Sequence, residues 1–221
     1  MFKKALIAED FESYNSSVQK ALEELKIEII DNVQYCDDAL MKIKKSIREK
    51  NPYDLLITDL SFVKDHRKQN INDGRELINA IKVEQPTIKI IVFSIEDRAE
   101  IVDDLFKTHE INGFVSKGRE DLKELKRATK AIHNNEKYIS TNVKNSIKTK
   151  NSYDFTRFEI TLVKLLSEGM KQKQIPDYLK DNNIKPSSLS SVEKALNNMK
   201  ESLEISSNEQ LVALCKDWGI I

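Results

Sequence analysis

Five residues able to do chemistry stand at the ends of short apolar runs in the first half of the chain. Glu9 and Asp10 follow Lys4–Ala8, Asp59 ends the run from Leu55, Ser94 follows Ile88–Phe93, and Lys117 lies just beyond Ile111–Val115. If these runs are strands of one parallel sheet, all five side chains gather at its carboxyl edge, where open α/β sheets bind their ligands. Three carboxylates crowded there repel one another. A hard divalent cation relieves that repulsion, and oxygen ligands with room for water suit Mg²⁺. Glu9, Asp10 and Asp59 would hold the ion, with the backbone carbonyl of Ser61 as a further ligand. An aspartate attacks a phosphoryl group when a cation, an ammonium group and hydrogen-bond donors neutralise the transferring oxygens. The expected acceptor is Asp59, with Ser94 and Lys117 stabilising the phosphoryl group.

The elements that must position these residues are readable from periodicity. Strands are expected at Lys4–Ala8, Ile27–Asn32, Leu55–Asp59, Ile88–Phe93 and Ile111–Val115, most of them β-branched or aliphatic and all too short for a helix. Between them Val18, Ala21, Leu22 and Leu25 fall at helical spacing, as do Leu77, Ile78 and Ile81, then Ile101, Val102 and Leu105, and later Leu122, Leu125 and Ala128. Ala39–Ile47 supplies one more helix. Strands alternating with helices predict an α/β unit, a doubly wound five-stranded parallel sheet over residues 1–133.

From 134 to 154 the sequence is polar, rich in Asn and Lys, and reads as a linker. Beyond it only helical periodicity remains, so residues 155–221 are expected to form a small all-α domain. Thr156-Arg157-Phe158-Glu159 has the pattern of a capping box opening its first helix, and Gly169 reads as that helix's stop.

Composition narrows the class of protein. At 221 residues the chain suits two domains, and Lys+Arg 36 against Asp+Glu 36 offers no global charge for nucleic acid or membrane. Any DNA contact must come from local placement. The N-terminal stretch turns acidic too early for a secretory segment, and no apolar run approaches membrane-spanning length, so a cytoplasmic protein is expected. Cys36 and Cys215 are far apart and outside any metal-binding spacing, and both read as buried hydrophobes.

Glu9-Asp10, Asp59-Leu60-Ser61, Ser94 and Phe114-Val115-Ser116-Lys117 together resemble the signature of response-regulator receiver domains, in order over residues 3–133. The resemblance implies a flavodoxin-like fold, Mg²⁺ as cofactor, and phosphorylation of Asp59 by a sensor histidine kinase. It also implies a switch in which Ser94 moves toward the phosphoryl group and Phe114 turns inward. The sequence departs from the family pattern in three places: a longer, polar segment from Phe62 to Asn72, Ile95 where a small residue is common, and Glu9 in place of the more frequent aspartate. Phosphorylation with altered kinetics is therefore expected.

Phe155 to Ile175, Ser188 to Lys194 and Leu203 to Ser207 are similar to the LuxR/NarL-type helix-turn-helix domain. That likeness implies DNA as a partner and a homodimer on activation, because each small domain reads only a half-site. Ser190, Ser191, Lys194 and Asn197 are the expected groove residues, with Lys171, Lys173 and Lys200 against phosphate. Glu193 and Asn197 stand where basic residues are usual, and Lys180 to Pro186 adds residues between the two helices. The whole reads as a two-component transcriptional regulator and not an enzyme. A receiver-based interaction module whose helical domain binds a protein is the alternative. A phosphohydrolase is less consistent with the sequence, since Ser61 stands where its second acidic residue would be.

Overall fold

Strands buried on both faces need continuous apolar runs, and the central strands have them: every residue of β1 (Lys4–Ala8) and β3 (Leu55–Thr58) is buried, as are all but the first of β4 (Lys89–Ser94). In this computed structural model, which describes residues 1–144 and 153–221, these strands form the middle of a parallel sheet. Its order is β2-β1-β3-β4-β5-β6, with β2 at Ile29–Val33, β5 at Gly113–Ser116 and β6 at Tyr138–Ile139. Helices α1 (Glu12–Glu24), α2 (Cys36–Arg48), α3 (Gly74–Glu84), α4 (Ala99–Lys107) and α5 (Asp121–His133) follow the first five strands in turn. Alternate residues along a strand face opposite sides of the sheet. Ala5, Ile7, Leu55, Ile57, Ile91, Phe93 and Val115 meet Val18 and Leu22 of α1 and Leu125, Ala128 and Ile132 of α5 in one core cluster.

The sheet has six strands where five were expected. The extra one, β6, lies in the polar stretch read as linker, and its pairing is made by backbone: Tyr138 N–H donates to the Asn112 carbonyl and Ser140 N–H to that of Phe114, at 3.1 and 3.0 Å. Its two side chains are only half buried, so it leaves no hydrophobic signature. β2 also differs, beginning two residues later than expected. As an edge strand it carries exposed and half-buried positions including Asp31 and Asn32, and Ile27 is buried just ahead of it without joining the ladder. Residues 145–152, part of the expected linker, lie outside the described residues.

The chain divides into two compact units: Met1–Asp97 with Ile101–Lys144 form the first, and the C-terminal helices the second. The second contains α6 (Arg157–Ser167), a 3-10 turn at Gln172–Gln174, α7 (Ile175–Asp181), α8 (Leu189–Ser202) and α9 (Asn208–Asp217). Thr156 and Glu159 form the capping box reciprocally, Glu159 N–H to Thr156 Oγ1 at 3.3 Å and Thr156 N–H to Glu159 Oε2 at 2.8 Å. Gly169 follows the helix at a φ of 90°, a left-handed conformation that glycine adopts without penalty. Leu162, Val163, Ile175, Leu179, Val192, Leu196 and Leu211 fill the core between the helices. Both cysteines are free and buried, and burial pushes the thiols up, Cys36 to about 12 and Cys215 to about 11. Neither is a nucleophile near neutral pH. No described helix is long and apolar enough to cross a membrane.

Candidate functional site: an acidic pocket at the sheet edge

Strand register brings the chemical groups together. Ala8 pairs with Val33 and Thr58, Thr58 with Val92, and Ser94 with Ser116, so the strands end side by side. The residues that follow, Glu9, Asp59 and Lys117, must meet there with Ser94. Strand order reverses between β1 and β3, which is the crevice where such sheets bind ligands.

Lys117 is the centre of the arrangement. Its Nζ lies 2.7 Å from Glu9 Oε2 and 2.6 Å from Asp59 Oδ2, and the Lys117 and Glu9 side chains are 1% and 2% exposed. The ammonium also sits 4.2 Å over the ring of Tyr14 and 5.4 Å from that of Phe93. These rings are a cation–π cradle that periodicity could not reveal. Burial works against the charge of Lys117, but its hydrogen bonds to Asp59 and Glu9 hold its pKa above the ordinary lysine value. Burial pushes the Glu9 carboxyl up despite the opposing pull of Lys117.

Asp59 is held from two sides. Its Oδ1 accepts from Ser94 Oγ and Leu60 N–H, both at 2.5 Å, and from Ser61 N–H at 3.3 Å, while Oδ2 faces Lys117. Asp10 differs: Oδ2 accepts from Val63 N–H at 2.7 Å, but Oδ1 is buried without a hydrogen-bond donor. One oxygen from each of Glu9, Asp10 and Asp59 lies within 4.8 Å of the others. Three carboxylates against one ammonium leave a net deficit of positive charge. With the orphaned Asp10 oxygen, that deficit fits a divalent cation.

An open pocket of about 320 Å³ leads to Asp59 between Phe11, Tyr14, Phe62, Val63 and Ile95. Ile95 stands at its rim with 69% of its surface exposed, so it lines the entrance without closing it. Phe114 is fully buried in β5 and, by strand alternation, faces the side of the sheet opposite Val115. Asn15, which sequence reasoning passed over, donates through Nδ2 to the Glu9 carbonyl at 2.5 Å and fixes the turn after β1.

Gly74 opens α3 directly against the Asp59 backbone. A Cβ there would lie 2.0 Å from the Asp59 carbonyl oxygen and 2.8 Å from Leu60 Cα. Backbone cannot give way as a flexible side chain would. Gly74→Ala is therefore expected to destabilise the fold by about 1–3 kcal/mol through overpacking, read as a lower urea midpoint. An unchanged midpoint would show that α3 can draw back from Asp59.

The groups expected to contact DNA are distributed differently. On α8, Ser190, Lys194 and Asn197 are exposed at helical spacing, together with Glu193. The Ser188 hydroxyl caps this helix, accepting from Ser191 N–H at 3.2 Å, and lies 2.7 Å from the Ser191 hydroxyl and 3.1 Å from that of Ser190. Lys200 is half buried near the other end. Lys171 precedes the 3-10 turn and Lys173 lies within it, with Lys171 lining a groove against Asn208 and Lys216 at α9. The structure thus unites Ser190, Lys194 and Asn197 on one face of α8.

The sequence profile described as the response regulator receiver domain matches residues 5–130, more than half the chain. The chain belongs to this family. No curated protein gives a match. Among solved structures, the chain resembles one of two RcsB dimers bound to two parallel DNAs, with 21% identity and a TM-score of 0.60 over 97% of this chain and 98% of that one. RcsB from Salmonella typhimurium gives 20% identity and a TM-score of 0.61 over 96% and 97%. The isolated REC domain of RcsB from Salmonella enterica serovar Typhimurium, in the presence of BeF3⁻, gives 24% and 0.52 over 65% of this chain and 96% of that one. At these identities the shared property is the fold, an α/β receiver followed by a helical domain.

Proposed function

We propose that this response regulator accepts a phosphoryl group on Asp59 from a sensor histidine kinase and acts as a DNA-binding transcriptional regulator. The observation that carries the reading is the pairing of Asp59 with both Lys117 and Ser94 beside two further carboxylates, at the point where the strand order reverses. Glu9, Asp10, Asp59 and the backbone carbonyl of Ser61 would hold Mg²⁺, which supplies positive charge to the transferring phosphoryl oxygens. An Asp59 carboxylate oxygen forms the new bond to phosphorus as the bond to the donor's imidazole nitrogen breaks. Lys117 then balances the added negative charge, and the Ser94 hydroxyl, already bonded to Asp59, turns to donate to the phosphoryl group. Phe114, two residues before Ser116 on the same strand, would repack with Ser94 to signal occupancy.

In this reading residues 1–133 together with β6 are the receiver, the rest of 134–154 the linker and 155–221 a LuxR/NarL-type helix-turn-helix domain. The likeness in fold to RcsB, one of whose structures holds dimers on DNA, supports a homodimer on activation and DNA as the target. Ser190, Ser191, Lys194 and Asn197 would enter the major groove at the start of α8, with Lys171, Lys173 and Lys200 nearer the phosphates.

Selection from random DNA with the full chain treated with beryllium fluoride tests this. A recurrent sequence is expected, bound as a dimer, and Lys194→Ala or Asn197→Ala should weaken it by about 1–3 kcal/mol. The absence of any enriched sequence would remove the transcriptional reading and favour a protein partner for the helical domain.

A further inference from the structure

The stretch between β3 and α3 has no regular secondary structure from residue 61 to 73, yet it is tied down by side chains. Arg67 grips both oxygens of Asp38 in the first turn of α2, Nη1 to Oδ2 at 2.8 Å and Nη2 to Oδ1 at 2.5 Å, and its guanidinium lies 4.4 Å from the Tyr35 ring centroid. The Tyr35 hydroxyl donates to Asp65 Oδ2 at 2.7 Å, and Asp65 Oδ1 accepts from Arg67 N–H at 2.8 Å. Next along α2, Asp37 accepts from the backbone N–H groups of Asn70 and Ile71 at 2.8 and 3.0 Å. Between this clamp and Asp59 lies Val63, whose N–H occupies Asp10 Oδ2 and leaves the buried Oδ1 without a donor.

We propose that Arg67 is a positioning residue for the cation pocket: by clamping the loop to α2 it holds the Val63 N–H on one oxygen of Asp10, so that the other is ready for a divalent cation. The inference rests on the reading of Glu9, Asp10 and Asp59 as a cation site. It follows from the general behaviour of carboxylate ligands, which bind best when a second hydrogen bond fixes their orientation. The clamp demands arginine, because a bidentate pair with a carboxylate and a stacked planar face are both beyond an ammonium group.

The sign of the effect separates positioning from charge. Arg67 is itself a cation, so on Coulomb grounds its loss strengthens the binding of another cation, weakly because the group is exposed and screened. Positioning requires the opposite.

The test is calorimetric titration of the full chain with Mg²⁺ alone, comparing wild type, Arg67→Ala, Arg67→Lys, Asp38→Asn and Lys64→Ala. Outer partners of metal ligands typically contribute 10- to 100-fold in affinity, and a clamp acting through one loop amide is expected at about tenfold. Arg67→Ala and Asp38→Asn should both weaken Mg²⁺ by about that factor, Arg67→Lys should fail to restore it, and Lys64→Ala should leave it unchanged. Phosphoryl uptake from acetyl phosphate should need more Mg²⁺ for half-saturation in Arg67→Ala, yet reach the wild-type rate at excess Mg²⁺. Circular dichroism establishes that each variant is folded, and Arg67→Gln, which also removes the positive charge and so keeps the sign of the test, serves if Arg67→Ala is not. Unchanged or tighter Mg²⁺ binding in a folded clamp variant overturns the inference while leaving the pocket intact. A wild type that binds no Mg²⁺ overturns the pocket reading and the inference with it.

Discussion

Asp59→Asn is expected to abolish phosphoryl uptake: after incubation with acetyl phosphate and Mg²⁺, wild type gains mass and the variant does not. The loss has two sources. A carboxamide is a far weaker nucleophile than a carboxylate, and it no longer supplies a negative charge to the cation. It also cannot satisfy the donors around it. Asp59 Oδ1 accepts from Ser94 and two backbone N–H groups and Oδ2 from Lys117, all four of them donors. An amide group turned toward either side places its NH₂ against donors and leaves them without an acceptor. The side chain should remain folded but poorly seated. A mass gain in the variant equal to that of wild type would show that another residue accepts the group and would end the case for Asp59.

The second large effect is expected on stability, from Lys117→Met. The substitution removes the ammonium shared by Glu9 and Asp59 and leaves two nearly inaccessible carboxylates without it. Removing one partner of a buried ion pair costs about 3–5 kcal/mol, since the charge left behind keeps its desolvation penalty. Two conditions should return part of that loss. Mg²⁺ held by Glu9, Asp10 and Asp59 would supply positive charge to the same carboxylates and bind only the folded form, so the urea midpoint of the variant should rise with Mg²⁺ more than that of wild type. Lower pH should also help. Glu9 already has its pKa raised by burial, and losing Lys117 raises it further. A carboxyl whose folded pKa exceeds its unfolded value destabilises the fold when ionised, and that penalty disappears as pH falls through the folded pKa. A variant as stable as wild type in Mg²⁺-free buffer at neutral pH would mean that solvent reaches these carboxylates.

The legible parts of this chain were those whose position follows from burial. Central strands are apolar on both faces, so their ends could be read off, and Glu9, Asp59 and Lys117 had to converge once the strands were aligned. The helical unit was legible for the same reason, with Thr156 and Glu159 marking the start of α6 by their own chemistry. Residues whose partners lie far along the chain were not legible. Nothing near Arg67 indicates that it meets Asp38, and Tyr14 is an ordinary helix residue until β5 brings Lys117 over its ring. β6 was missed because backbone pairing holds it, and backbone pairing leaves no trace in side-chain composition. The long polar segment after Asp59 read as a departure from the family, whereas its contacts give it a framework of carboxylates on α2.

β6 also bears on how such proteins can be taken apart and recombined. Counting helices alone, a receiver ending with α5 at His133 is the module to join to a new output domain. Here that cut would strip the outer strand from β5, uncovering the amide and carbonyl groups around Phe114 that now pair with residues 138–140. Those groups sit on the strand that leads to Lys117. The transferable piece therefore runs past α5 through β6, and a chimera joined earlier would inherit an open sheet edge beside its own acidic pocket.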